Sequence, residues 1–287
     1  MVTAVNRRTA NRSAASPKRV APQRNYLAEV TTNARSRPTA AVVYGPPGVG
    51  KTSFGASMPD PLFLTDDQED GLNTLKSSKR IANETPMLPP AASWTDVLGA
   101  LEALAVGDHD YKTLVVDTLG GMERLCHAHV CERDFNGQWG DQGFASYNKG
   151  YEVALPEWRM FLNALDRLRN ERNMAIVCLA HSQIRSYHNP EGEDYDRFLP
   201  DLHNKTWAVT HRWADMVLFC NYQTQTVKEG SHAKGQGGQQ RRMYTEYHPA
   251  YEAKNRHGLP LEIDMGKTGK EAWKRLKQAL ASARKGE

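Results

Sequence analysis

The sequence predicts an α/β protein with a mostly parallel central sheet, flanking helices and a late β-hairpin. Two observations carry this. Five short apolar runs, AAVVY (40–44), PLFLT (61–65), TLVVDT (113–118), AIVCLA (175–180) and MVLFCNY (216–222), are separated by segments long enough for amphipathic crossover helices, the pattern of parallel strands covered on both faces. The glycine-rich stretch GPPGVGKT follows the first run directly, at the carboxyl edge where open α/β sheets bind ligands.

Taken in order, residues 1–37 are rich in Ala, Arg, Ser, Asn and Thr, with no apolar periodicity. Such a stretch cannot bury enough surface to offset its ordering entropy, and a disordered basic tail is expected there. A core follows over 38–266. Its first strand leads into residues 45–52, which match GxxxxGK[ST]. Gly45, Pro46, Pro47, Gly48, Val49 and Gly50 form a loop whose backbone N–H groups can surround phosphate oxygens. Lys51 reaches the β- and γ-phosphates, the Thr52 hydroxyl binds Mg²⁺, and Ser53 continues the helix N-terminus. ATP is favoured over GTP because the chain has no NKxD-type guanine reader.

The second run ends in an acidic turn, LFLTDDQEDG. The third ends in Asp117, a carboxylate placed to hold the Mg²⁺ water shell. Thr118 follows where a hydrolytic Glu often stands, so a base for water must come from elsewhere. Glu69 is the first choice and Asp67 the second, with a merely solvated acidic turn as the alternative for either.

Between the third and fourth runs, CHAHVC (126–131) invites a zinc reading. On a helix Cys131 lies about 140° from Cys126, so one helix cannot turn all four groups to one metal. An amphipathic helix is expected instead. Residues 157–170 place Trp158, Phe161, Leu162, Leu165 and Leu168 at helical spacing, with Pro156 starting or kinking that helix.

The fourth run ends abruptly in AHSQIR, which puts His181, Ser182 and Gln183 at the edge that carries Lys51 and Asp117. The polar loop expected over 184–205 holds Arg185, Tyr187 and Lys205 among other cations and aromatics, but also Glu191, Glu193, Asp194, Asp196 and Asp201. Aromatics interleaved with cations suit stacking on single-stranded bases; an oligomer contact and a plain surface loop remain open. A polar hairpin with a Gly/Gln-rich, mobile tip (230–240) comes next. Trp273, Leu276, Leu280 and Ala283 then mark one face of a basic C-terminal helix within 267–287.

The formal net charge of +4 is uneven. Residues 1–38 carry eight Lys/Arg against Glu29, and 267–287 carry seven against two acids, so the middle is acidic. Basic ends can attract a polyanion such as nucleic acid or serve solubility alone. Four scattered cysteines fit reduced thiols, and the chain has no apolar run long enough to cross a bilayer, so a cytoplasmic protein is expected.

The order of phosphate loop, acidic second strand, Asp117-Thr118 and a strand ending in SQIR resembles the RecA-type ATPase core, a RecA-like P-loop NTPase. VVYGPPGVGKTSF, LVVDTLGGME and CLAHSQI are more similar still to phage-encoded RecA-like ATP-binding proteins of the Sak single-strand annealing group, over roughly residues 39–265. The resemblance implies Mg²⁺-dependent ATP hydrolysis stimulated by single-stranded DNA, strand annealing or exchange, and a homo-oligomer, ring or filament, working with a single-strand-binding protein. It also implies that Gln183 links γ-phosphate to the DNA loop. In AKNRHG, Lys254 and Arg256 resemble the Lys-x-Arg pair of DnaB-like helicases, which enters a neighbour's ATP site from one face of a strand; a solvated charged strand is the alternative. Competing functions are a RecA or AAA+ helicase or helicase loader, with Asp117-Thr118 speaking against AAA+, and an ATP-switched DNA-binding module with negligible turnover. A small-molecule kinase fits poorly, for want of an Arg-rich lid.

Overall fold

The computed structural model describes residues 26–32, 37–229 and 232–286. Contacts divide the chain into two units, 1–36 and 37–287. In the first, residues 26–29 form a 3-10 turn. Residues 1–25 and 33–36 of the expected tail, and 230–231 of the expected tip, lie outside the described residues.

In the second unit β1 (Ala40–Gly45) leads through the glycine-rich loop into α1 (Lys51–Gly55). Next come β2 (Pro61–Thr65), α2 (Gly71–Ser77), α3 (Trp94–Val106), β3 (Thr113–Asp117), α4 (Leu119–Phe135), α5 (Lys149–Glu171), β4 (Ala175–Tyr187), β5 (Tyr195–Pro200), α6 (Asn204–Trp213), β6 (Met216–Glu229), β7 (His232–Tyr244), β8 (Glu262–Asp264) and α7 (Gly269–Lys285). The sheet order is β2-β3-β4-β1-β6-β7-β8, with β5 on the far part of β4. Strands β2, β3, β4, β1 and β6 are parallel, whereas β7, β8 and β5 are antiparallel to their neighbours. The late hairpin is therefore β6–β7.

Strand alternation explains why the runs are apolar throughout. Ala40, Val42 and Tyr44 of β1, with Leu114, Val116, Ile176, Cys178, Val217 and Phe219, pack under α3, α4, α5 and α6. Ala41 and Val43, with Val115, Val177, Leu179 and Leu218, pack under α1 and α7. Both faces are covered, so no polar alternation is required. At the amino end of the sheet the fully buried Arg169 guanidinium bonds the Pro38 carbonyl (2.8 Å), Asp166 (2.8 Å) and Asp215, and Asp215 also accepts the Ala40 N–H (3.0 Å).

Four helix starts have side-chain caps, one of them α6, where the His203 ring accepts the Lys205 N–H. Ser93 and Asp96 form a reciprocal capping box on α3, Thr118 caps α4 and Thr268 caps α7, each accepting an N–H that the helix cannot satisfy itself.

Three expectations need correction. The helix expected from 157 begins at Lys149, with Pro156 inside it. The loop expected over 184–205 is instead a hairpin, because β4 continues seven residues past Ala180 and pairs with β5 from Ser182↔Pro200 to Tyr187↔Tyr195. Residues 253–258 form no strand; Lys254 makes one isolated bridge to Val217. At the C-terminus, α7 buries Ala272 and Leu276 beside Phe54 and Met265, and so belongs to the same unit as 37–266. The four cysteines are free and buried, and Cys126 and Cys131 both lie in the core of α4.

Candidate functional site

The parallel strands bring three loops to one edge. The loop after β1 needs a backbone that only glycine adopts cheaply: Gly50 has φ +102° and Gly48 has φ +79°. Gly45 must also lack a side chain, since a Cβ there would lie 2.1 Å from the Cys220 carbonyl oxygen of neighbouring β6.

The Lys51 side chain curls back over the loop, is 6 % exposed, and donates to the carbonyls of Gly45 (2.8 Å) and Pro46 (3.1 Å). Burial holds its ammonium below the usual lysine range, with Asp117 and Glu69 opposing that shift. Thr52 donates its hydroxyl to the Asp117 carboxylate at 2.9 Å. Asp117, 2 % exposed at the end of β3, is pushed up to about 6 by burial, against the pull of the Thr52 hydroxyl. These residues frame a cleft of about 740 Å³, within the usual range for small-molecule sites. Four cationic side chains line it (Lys51, Arg80, Arg241 and Lys267), against the carboxylates of Glu69 and Asp117, so the cleft suits a polyanion.

Of the two base candidates the structure brings one into the cleft. Glu69 lines it, accepts the Gly71 N–H at 3.1 Å, and lies 4.0 Å from His181 Nε2, an ion-pair distance rather than a hydrogen bond. The imidazole holds the Glu69 carboxyl below the usual carboxylate range. Asp67 is exposed and held by Arg124 at 3.1 Å, outside the cleft lining. Arg124 also approaches the buried Asp66 at 3.6 Å, so these two neighbouring carboxylates serve one arginine.

His181, at the end of the parallel part of β4, lines the cleft, and Gln183 does not. This corrects the expectation that Gln183 faces the phosphate. The β5 hairpin claims its amide, which donates to the carbonyls of Pro200 (3.0 Å) and Leu202 (3.4 Å). The outer candidates also have intramolecular partners. Arg185 donates to Asn204 and to the Leu202 carbonyl (2.7 Å). Lys205 pairs with Glu152. The Tyr187 ring lies 5.2 Å from Tyr195, with the Arg197 guanidinium 4.3 Å above it. Lys254 donates to the His211 carbonyl, and Arg256 sits 3.5 Å from Asp215 at the amino end of the sheet, away from this chain's own cleft.

Several contributors escaped the sequence reading, Arg80 among them. Arg241 on β7 donates to the Val49 carbonyl (3.1 Å), and Tyr222 on β6 donates its hydroxyl to the Gly48 carbonyl (2.9 Å). Lys267, Thr268 and Gly269 at the start of α7 form another wall of the cleft. Gly269 is wedged so close that a Cβ would meet the Ser53 carbonyl oxygen at 2.0 Å. The signal for α7 was the Thr268–Glu271 capping pattern; nothing local marks Arg241.

The residues fit magnesium. A hydroxyl and a carboxylate 2.9 Å apart beside a phosphate cradle are the hard oxygen donors that ion takes. When bound with a triphosphate, magnesium neutralises charge on its outer phosphates.

A sheet in the order β2-β3-β4-β1-β6, a glycine-rich loop after β1 and Asp117 on β3 define a RecA-like P-loop NTPase fold. Residues 37–257, about three quarters of the chain, match a family described as an AAA domain, and the protein belongs to that family of nucleotide-binding domains. Thr118, weighed above against this class, caps α4 through its hydroxyl, which accepts the Gly121 N–H at 3.3 Å. No curated protein matches the chain.

Proposed function

We propose that the protein is a Mg²⁺-dependent ATPase whose turnover drives binding and annealing or exchange of single-stranded DNA by a homo-oligomer. Lys51 and the loop N–H groups hold the phosphates, Thr52 and Asp117 hold the metal, and Glu69 accepts the proton of the attacking water. His181 sits beside Glu69 and senses the terminal phosphate. The observation that carries the reading is the Thr52–Asp117 contact at the root of a cleft lined by four cations. Support for coupling to DNA is that β4 is one continuous strand from Ala175 to Tyr187. It carries His181 in the cleft and Arg185 and Tyr187 beyond it, so a shift at the phosphate can travel along one rigid element. Binding DNA at the hairpin requires Arg185 and Lys205 to exchange their present partners for phosphates. Lys254 and Arg256 serve a neighbouring copy's site in this reading, and a single-strand-binding protein is the expected accessory partner.

The test is phosphate release with and without single-stranded DNA at two salt concentrations. A DNA-stimulated rate whose stimulation falls with salt supports the reading, because phosphate contacts release counterions. The AAA family match favours a helicase-loading motor as the second reading. That reading gains if the rate ignores DNA and responds to a protein partner instead.

A further inference from the structure

Two adjacent carbonyls of the glycine-rich loop are taken by side chains of a single cross-strand pair. Tyr222 and Arg241 face each other in the β6–β7 register. Tyr222 donates its hydroxyl to Gly48 O at 2.9 Å, and Arg241 donates Nη1 to Val49 O at 3.1 Å. Arg241 also places Nε (3.2 Å) and Nη2 (2.8 Å) on the carbonyl of Gly266, two residues before the cap of α7, and its own carbonyl accepts the Met265 N–H at 2.9 Å. Among the described residues Arg241 has no carboxylate partner within ion-pair distance, yet it lines the cleft. The described bonds use three of its five N–H donors.

A planar trans peptide points its N–H opposite to its C=O. Holding the Val49 carbonyl against the hairpin therefore fixes the direction of the Gly50 N–H. Gly50 sits in a left-handed conformation, φ +102°, where the loop has no intrinsic reason to stay. A Cβ on Gly50 would meet Arg241 Nη1 at 2.4 Å, which shows how closely the guanidinium follows the loop.

We propose that Tyr222 and Arg241 are positioning residues in cis. They hold the phosphate loop in its anion-binding shape and tie it to the β6–β7 hairpin and the start of α7, while the remaining Arg241 donors meet a phosphate oxygen. This rests on the nucleotide reading above for its ligand, but the loop-positioning part stands without it. Lysine cannot replace the arginine fully, since a single ammonium cannot reach two carbonyls and a phosphate in a fixed fork.

The experiment uses the full chain and the variants Arg241→Ala, Arg241→Lys and Tyr222→Phe, with two readouts. Hydrogen exchange of residues 45–52 in the nucleotide-free protein should quicken in all three. Isothermal titration with Mg·ATP should show affinity weakened about ten- to hundred-fold in Arg241→Ala, about two- to tenfold in Tyr222→Phe, and in between for Arg241→Lys. Steady-state kinetics should place the loss in KM, with kcat kept within about threefold. Should Arg241→Ala fail to fold, Arg241→Lys and Tyr222→Phe decide by the same two readouts. Quickened loop exchange in the variants, together with a wild-type protein that binds no nucleotide, keeps the positioning role and sinks the nucleotide reading. Unchanged loop exchange together with unchanged affinity overturns the proposal.

Discussion

Replacing Glu69 by glutamine separates its chemistry from its architecture. The Glu69 Oε1 accepts the Gly71 N–H at 3.1 Å, and the amide oxygen of glutamine can accept it equally, so the turn into α2 is kept. What disappears is the negative charge and the basic oxygen near His181. A positioned general base contributes about 10²- to 10⁴-fold to a rate, which at 1.36 kcal/mol per tenfold is about 3–5 kcal/mol of barrier. Removing a carboxylate from a cleft that receives a polyanion also lifts a repulsion, so affinity should hold or tighten. The assay is steady-state phosphate release beside the Kd for Mg·ATP. Glu69→Gln should lower kcat at least a hundredfold with Kd unchanged or smaller. Because the carboxyl is held below the usual range, an acid limb near pH 6 in the wild-type rate should report Asp117 rather than this base. A variant within about threefold of wild type in kcat would refute the base assignment.

Three further outcomes are expected. Asp117, raised by burial from 3.8 to about 6, keeps in the folded state a proton that the unfolded chain releases. Its burial therefore lowers stability as pH rises from about 4 to 6, and Asp117→Asn should stabilise the nucleotide-free protein at pH 7 by up to about 3 kcal/mol while abolishing magnesium-dependent affinity; thermal melts and titrations read the opposite signs. Arg169→Ala strands Asp215 with the more distant Arg37 (3.7 Å) and Arg256 (3.5 Å), so a loss of about 3 kcal/mol and a Tm lower by about 6 °C or more are expected. Gly269→Ala forces the start of α7 off the Ser53 carbonyl; overpacking of about 1–3 kcal/mol should appear as a lower Tm together with weaker nucleotide binding, since the wall of the cleft moves with it.

The parts of the site that were legible in the sequence are those fixed by local chemistry. The 45–52 loop announces itself because its spacing is a backbone requirement, and β2 and β3 were legible because both faces of each strand are apolar. Residues 184–205 misled for a physical reason. Past Ala180 none of the residues of strand β4 is buried and the sequence His-Ser-Gln-Ile-Arg-Ser-Tyr has no apolar alternation, and its partner β5 is short, with only Leu199 and Pro200 buried. The sequence YDRFLP of β5 shows no period-2 apolar signal either, since Arg197 is charged and Phe198 and Leu199 are adjacent. The engagement of Gln183 by Pro200 and Leu202 depends on that pairing and could not be read without it. Arg241 acts on Val49 across 192 positions of sequence, a contact set by sheet order alone, which composition and spacing do not encode.

The central claim is that a triphosphate with magnesium binds against Lys51 between Thr52, Asp117 and His181. The most direct test is titration of the full chain with Mg·ATP, comparing wild type with Lys51→Ala and Thr52→Ala. Saturable binding by wild type, loss in Lys51→Ala and loss of the magnesium dependence in Thr52→Ala are the predicted results. A wild-type protein that binds no nucleotide in magnesium, or a Lys51→Ala variant that binds as tightly as wild type, would contradict the account.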